Sequence, residues 1–197
     1  MKNRTATIKR ETRETRIELS LDLDGTGKVQ VATGVGFLDH MLDHIGKHSL
    51  TDLAVSASGD VEVDDHHTTE DVAICFGEAL AQAVGDKTGI FRYGSASVPM
   101  EDALAEVAVD LSGRPAVAFN VKFTGDKIGG FDTQLVEEFF RRLASSAAMN
   151  LHVNVPYGAN DHHIAEAVCK GFAQALRRAK AIDPDRPSEV PSTKGTL

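Results

Sequence analysis

The sequence predicts an α+β fold made by tandem duplication, each unit carrying a roughly four-stranded sheet and two helices. Three observations predict it. The 197 residues, 42% hydrophobic and 25% charged, are enough to bury a sizeable core. Asp65-His66-His67-Thr68-Thr69-Glu70 returns 96 positions later as Asp161-His162-His163-Ile164-Ala165-Glu166, and the match runs on through Val72/Val168, Phe76/Phe172, Ala79/Ala175, Leu80/Leu176 and Ala83/Ala179 at helical spacing. Upstream, at an offset of 98, Leu53 and Val55 fall on Leu151 and Val153, and Leu38-Asp39-His40 falls on Val136-Glu137-Glu138.

The first unit, 1–90, opens on strands. Over 15–22, Ile17, Leu19 and Leu21 alternate with Arg16, Glu18 and Ser20, and Asp24-Gly25 supplies a hairpin turn to a second strand over 28–33. A helix follows over roughly 37–48, then a strand over 52–57, a turn, and a second helix opening on His66-His67. The second unit, 91–182, repeats the order. Strand-like runs over 105–111 and 116–123 are joined by Ser112-Gly113-Arg114-Pro115, and a helix over 132–148, a strand over 150–155 and a helix opening on His162-His163 complete it. The tail, 183–197, holds three of the six prolines and no apolar periodicity, so its composition reads as a flexible arm.

Charge and composition exclude several classes. Asp plus Glu outnumber Lys plus Arg by 29 to 21, for a formal charge of -8 and a pI near 5.4, which disfavours nucleic acid and anionic membrane as partners. Any anionic ligand must be held by a few local cations. No Trp and 6% aromatic content give no stacking platform for single-stranded nucleic acid. No apolar run approaches the roughly 18 to 20 residues of a membrane helix, and the charged start lacks a signal core. Cys75 and Cys169 form no CxxC pair, so a disulfide framework and a cysteine-rich zinc site are both absent and a cytoplasmic location is expected.

Seven of the eight histidines fall in short clusters that chance would not give: His40, His44 and His48, with the pairs His66-His67 and His162-His163 opening helices, and His152 alone ten residues before the second pair. On a helix, His66 and Glu70 stand at i and i+4 and His67 and Glu70 at i and i+3, so one turn offers two imidazoles and a carboxylate. Adjacent histidines diverge too far to chelate one ion, so each pair serves two different ions, and two copies suggest a two-metal site. Imidazole with carboxylate and no thiolate suits Mn, Fe, Co, Ni or Zn. An isolated surface His-His pair is more often solvated, with Asp65 or Asp161 a simple N-cap; retention of both pairs in a duplicated unit favours ligation. His40, whose counterpart is Glu138, is the best further ligand, and His44 and His48 read equally as surface or hydrogen-bonding residues.

Gly36-Phe37-Leu38-Asp39-His40-Met41-Leu42, Asp64-Asp65-His66-His67-Thr68-x-Glu70-Asp71, Asp110-Leu111-Ser112-Gly113-Arg114-Pro115, Asp161-His162-His163-x-x-Glu166-Ala167 and Pro191-Ser192-x-Lys194-Gly195 stand in order over nearly the whole chain. Together they resemble the imidazoleglycerol-phosphate dehydratase family of histidine biosynthesis. The resemblance implies a duplicated α+β fold with the helices packed between two sheets, and a hydro-lyase that converts imidazole glycerol phosphate to imidazole acetol phosphate. It implies two Mn(II) per active site and a homo-oligomeric shell of 24 subunits with sites shared between chains. It places the ligands at His40, His66, His67, Glu70, His162, His163 and Glu166, with one more from the helix of the second unit; there some relatives carry histidine in Val-Glu-His-Phe and this chain reads Val136-Glu137-Glu138-Phe139, so either Glu138 takes the eighth place or water does.

The same resemblance assigns the substrate phosphate to Arg92, Arg114, Lys170, Ser192 and Lys194, adds His48 as a substrate contact, and makes the tail a lid. Arginine forks and lysine point charges are what a phosphomonoester requires. Glu14 matches the family's N-terminal acid, and Glu14 with Glu166 would do the acid-base work. The carbon that loses the proton is not acidified by a carbonyl, so the chemistry needs the substrate's ring as its electron source: metal ligation favours an imidazolate that can expel the hydroxyl. A competing reading is a binuclear metallohydrolase acting on a small phosphorylated substrate; another is a module whose metals only staple subunits. The length leaves no room for the phosphatase domain some relatives carry, so a monofunctional protein is expected.

Overall fold

The computed structural model describes residues 4–195. In chain order the first unit forms β1 (Thr5–Glu11), β2 (Thr15–Asp22), β3 (Val29–Ala32), α1 (Gly36–Ser49), β4 (Asp52–Gly59) and α2 (His66–Val84). The second forms β5 (Tyr93–Met100), β6 (Ala103–Asp110), β7 (Ala116–Asn120), the short hairpin β8 (Lys127–Ile128) and β9 (Phe131–Asp132), α3 (Gln134–Ser146), β10 (Asn150–Tyr157) and α4 (Asp161–Lys180). The two sheets have the same plan. In the order β1-β2-β4-β3 the first three strands are antiparallel neighbours and β3 joins β4 in parallel, so the hairpin expected at Asp24-Gly25 does not form: β4 lies between β2 and β3; β5-β6-β10-β7 repeats this order strand for strand.

The duplicated α+β unit is therefore present, with two strands that the apolar pattern does not announce. β1 buries only Ala6, and β5 reads Tyr-Gly-Ser-Ala-Ser-Val-Pro-Met with small residues where a bulky alternation would stand. Both are sheet edges, where one row of neighbours suffices and the hydrophobic period is weak. The run expected to continue to 123 leaves the sheet after Asn120, and the chain makes the β8–β9 hairpin before α3.

Each sheet buries one face beneath its helices. α2 lies on β1 and β2 and α4 on β5 and β6, while α1 packs against α4 and α2 against α3. The helix layer thus joins the units by crosswise pairs. The paired repeats Phe76 and Phe172, Leu80 and Leu176 are fully buried there, each stabilising the fold by about 1.5–3 kcal/mol through removal from water. Gly94 lets α4 settle onto β5, because a Cβ at that position would overlap the Ala175 carbonyl. Among the described residues, no helix is long and apolar enough to cross a membrane.

The tail departs from the flexible arm that its composition suggests. Backbone bonds tie it to the loop ahead of β5: Asp183 N donates to Gly89 O at 2.8 Å, Gly89 N donates to Glu189 O at 2.8 Å, and Ile90 and Ile182 form a bridge. Composition carries no signal for such main-chain pairing. Residues 196–197 lie outside the described residues.

Lys180, 4% exposed at the end of α4, donates from Nζ to the carbonyls of Leu23 and Leu50. Burial, with Arg4 nearby, pushes its ammonium down to about 8 from an ordinary 10.5. Between those values the unfolded chain holds a proton that the folded chain has released, so stability should rise with pH through that window, by at most about 3 kcal/mol. Thermal melts at pH 7.5 and 9.5 should show the native chain gaining more than Lys180→Met; equal gains would refute the assignment.

Candidate functional site

The crosswise helix pairs bring the repeated motifs together. Where α1 crosses α4, His40 meets His162 and Glu166, with one ligand atom from each within 4.8 Å of the others. Where α2 meets α3, His66, Glu70 and Glu138 do the same. Each group takes the His and Glu of a D-H-H-x-x-E turn from one unit and the equivalent first-helix residue from the other. The i, i+4 spacing explains the choice, since His162 and Glu166 share a face of α4 and His66 and Glu70 a face of α2.

The second histidine of each pair stands outside its own chain's group. The two rings of each pair are nearly perpendicular, at 85° for His66 and His67 and 82° for His162 and His163. His67 Nδ1 lies 3.0 and 3.1 Å from the Asp60 carboxylate oxygens, and His163 Nδ1 lies 2.5 Å from Asp102 Oδ1. A carboxylate on one ring nitrogen fixes the tautomer that leaves Nε2 free as a ligand atom. The Asp60 hydrogen bond pushes His67 above its ordinary pKa, and the His163 bond, with the Ala159 and Asn160 amides, holds Asp102 well below the usual carboxylate range. Glu14, in the β1–β2 turn, reaches within 3.9 Å of His67 Nε2.

Glu166 is 7% exposed. Its Oε1 lies 2.5 Å from His44 Nε2 and 3.4 Å from Lys170 Nζ. Its Oε2 is buried without a hydrogen-bond partner among the described residues. Burial opposes its ionisation, but His44, Lys170 and His40 outweigh it and hold the carboxyl below its ordinary value. Burial pushes His44 below its ordinary value, while the Glu166 carboxylate beside it works in the opposite direction. An ionised carboxylate with an orphaned oxygen, beside two imidazoles, fits a divalent cation of the borderline class. In the second group Arg142 lies between the acids, its Nε 2.5 Å from Glu138 Oε1 and 3.1 Å from Glu70 Oε1.

Asp161 and Asp65 do not act as side-chain N-caps. Asn160 caps α4, accepting from the His162 and His163 amides at 2.9 and 3.4 Å, while Asp161 accepts from the Thr124 and Gly125 amides at 2.9 and 2.7 Å. Asp64 accepts from the His66 amide at 2.8 Å. The Asp161 bonds tie the start of α4 to the segment before β8, and so place its histidines.

Four of the expected phosphate residues gather elsewhere. Arg92, Arg114, Ser192 and Lys194 line a cleft of about 530 Å³ between the start of β5 and the tail. Arg92 is 8% exposed, donates to the Asp110 carboxylate from Nε and Nη2 at 2.6 and 3.1 Å, and donates from Nη1 to Pro191 O at 2.9 Å. It therefore anchors the tail as well as lining the cleft. Lys170 stands apart: with His48 it borders a different cleft, of about 960 Å³, along β5. Asp60, Asp102 and Arg142 are missed by the motif reading, and Asp110 stands in a motif without a role assigned to it. For Arg142 a signal existed, as it lies 98 positions after His44.

A sequence model of the family described as imidazoleglycerol-phosphate dehydratase matches residues 33–176. The imidazoleglycerol-phosphate dehydratase of Rhodopseudomonas palustris strain TIE-1 is 57% identical over 194 residues, covering 98% of either chain. That of Methylorubrum extorquens is 55% identical, covering 98% of this chain and all of its own. The crystal structure of the Staphylococcus aureus N315 enzyme superposes with a TM-score of 0.83 at 39% identity, over 91% of this chain and 99% of that one. The Pyrococcus furiosus enzyme in complex with (S)-C348 gives 0.83 at 36%, over 96% and 100%.

Proposed function

The chain belongs to the imidazoleglycerol-phosphate dehydratase family, hydro-lyases of histidine biosynthesis with a small-molecule substrate, and from that premise we propose that it works in the cytoplasm with two Mn(II) ions per site, each site shared between subunits of a 24-subunit shell. The observation that carries the shared site is the divergence within each pair. His40, His162 and Glu166 form one three-residue group and His66, Glu70 and Glu138 the other, while His67 and His163, oriented by Asp60 and Asp102, are left to complete the groups of a neighbouring copy.

When bound, the ions supply the Lewis acidity that favours the imidazolate form of the substrate's ring and loosens its bond to the departing hydroxyl. The chain's residues do the rest. Glu14, beside His67 and half exposed, and Glu166 share the proton transfers between the substrate's C-H and its leaving hydroxyl. His44 holds Glu166 ionised and in register. Arg92, Arg114, Ser192 and Lys194 clamp the phosphate and so fix the reacting carbon relative to the carboxylates. Lys170 and His48, lying in the other cleft, act on a substrate whose phosphate is bound by a different subunit.

The test is conversion of imidazole glycerol phosphate to its acetol phosphate, with native mass recorded on the same sample before and after chelation. Conversion and large native mass that disappear together and return with Mn(II) are expected. Metal-independent conversion, or release of inorganic phosphate in its place, would overturn the reading; the latter is what a metallohydrolase would give. Lys194→Ala, at an exposed position in the tail cleft, should raise KM by about 10- to 100-fold, the worth of one charge-assisted hydrogen bond, at unchanged native mass. An unaltered KM would remove the tail from the phosphate site.

A further inference from the structure

The two ligand groups are related by the duplication, yet they differ at the residue one turn beyond His40 and Glu138. One turn after His40 stands His44, a base that can be neutral, against Glu166. The equivalent position one turn after Glu138 is Arg142, a group that cannot give up its charge. Its Nε lies 2.5 Å from Glu138 Oε1 and 3.1 Å from Glu70 Oε1. Both acids belong to the group that His66 completes.

Two ionised carboxylates held this close repel one another, and a fixed cation between them relieves the repulsion. A divalent ion asks for oxygens of the same two carboxylates that the guanidinium now bridges. Ion and arginine therefore compete for these carboxylates. The arginine side chain is 47% exposed on a long stem, so it has solvent to swing into. Among the described residues no cation bridges two acids at the other group, where Glu166 is the only carboxylate of the three and Lys170 Nζ lies 3.4 Å from it.

We propose that Arg142 is a tethered stand-in for one of the two ions: it bridges Glu70 and Glu138 while that group holds no metal, swings aside as the ion enters, and lowers the group's affinity so that the two groups of a chain load in turn. The inference rests on the two-ion reading above and adds to it an internal competitor. Arg142 is a positioning residue in this scheme, because it touches ligands and not substrate.

Metal-stripped full-length protein titrated with Mn(II), with free ion read by electron paramagnetic resonance, tests this without reference to turnover. The native chain should show a tighter and a weaker class of site. Arg142→Met, which keeps the stem and removes the charge, should tighten the weaker class by about tenfold, within the range outer-shell partners exert, and leave the tighter class in place. The metal-free variant should also melt below the metal-free native chain, since its facing carboxylates lose their partner. Arg142→Lys, with a charge but no fork, should fall between. Unchanged or weaker binding in both variants would overturn the proposal and reduce Arg142 to a structural ion pair. One ion per chain in every variant would instead overturn the two-ion reading on which it rests.

Discussion

Glu166→Gln should lower kcat by about a thousandfold, in the middle of the range for loss of a positioned acid-base group, with the fold retained. The exchange is nearly isosteric, and the amide oxygen can still sit against His44 Nε2. What disappears is the negative charge, and the oxygen now buried without a partner can be replaced by an NH2 group that repels a cation. Metal content measured on the same preparation separates the two contributions: a variant that keeps both ions and loses turnover has lost its proton carrier, and one that loses an ion as well has lost a ligand. Activity within tenfold of the native protein would remove Glu166 from the chemistry.

Arg92→Ala should be the most damaging change away from the helix crossings. Two contributions add. The partly buried Asp110 carboxylate loses its bidentate partner, and an uncompensated charge of that kind costs about 3–5 kcal/mol, here reduced by its remaining exposure. The tail also loses the bond to Pro191 O, so Ser192 and Lys194 are no longer held over the cleft and KM should rise well beyond the effect of Lys194→Ala. Arg92→Lys keeps a charge but cannot reproduce the fork; it should recover more of the melting temperature than of the KM. Unchanged KM in either variant would show that this cleft is not where phosphate binds.

The duplication was legible because both helices that carry it keep a 3.6-residue apolar period beside the same polar opening, and a single offset aligns them. The edge strands β1 and β5 were not, since their burial is shallow and their residues small or polar. The three-residue groups could be anticipated at His40 and Glu138 because the repeat makes these residues equivalent. Asp60 and Asp102 could not. Asp102 meets His163 across 61 residues of chain, and Asp60 lies in a turn with no periodicity. Lys170 came from the family resemblance, and its place 3.4 Å from Glu166, in a cleft apart from the other four phosphate residues, could not be read from the motifs. The tail's anchorage is written in main-chain bonds to Gly89, to which composition is blind.

Because α1 pairs with α4 and α2 with α3, neither half of the chain owns a complete group of ligands. A single repeat, expressed alone, would have to pair with a copy of itself, and a two-fold pair of that kind carries two identical centres by symmetry. Fusion into one chain breaks that constraint. One centre is free to keep histidine where the other takes glutamate, and each can acquire its own neighbour one turn along, histidine in one case and arginine in the other. The covalent link between the halves is thus what permits an asymmetric pair of ligand groups inside an almost symmetric frame.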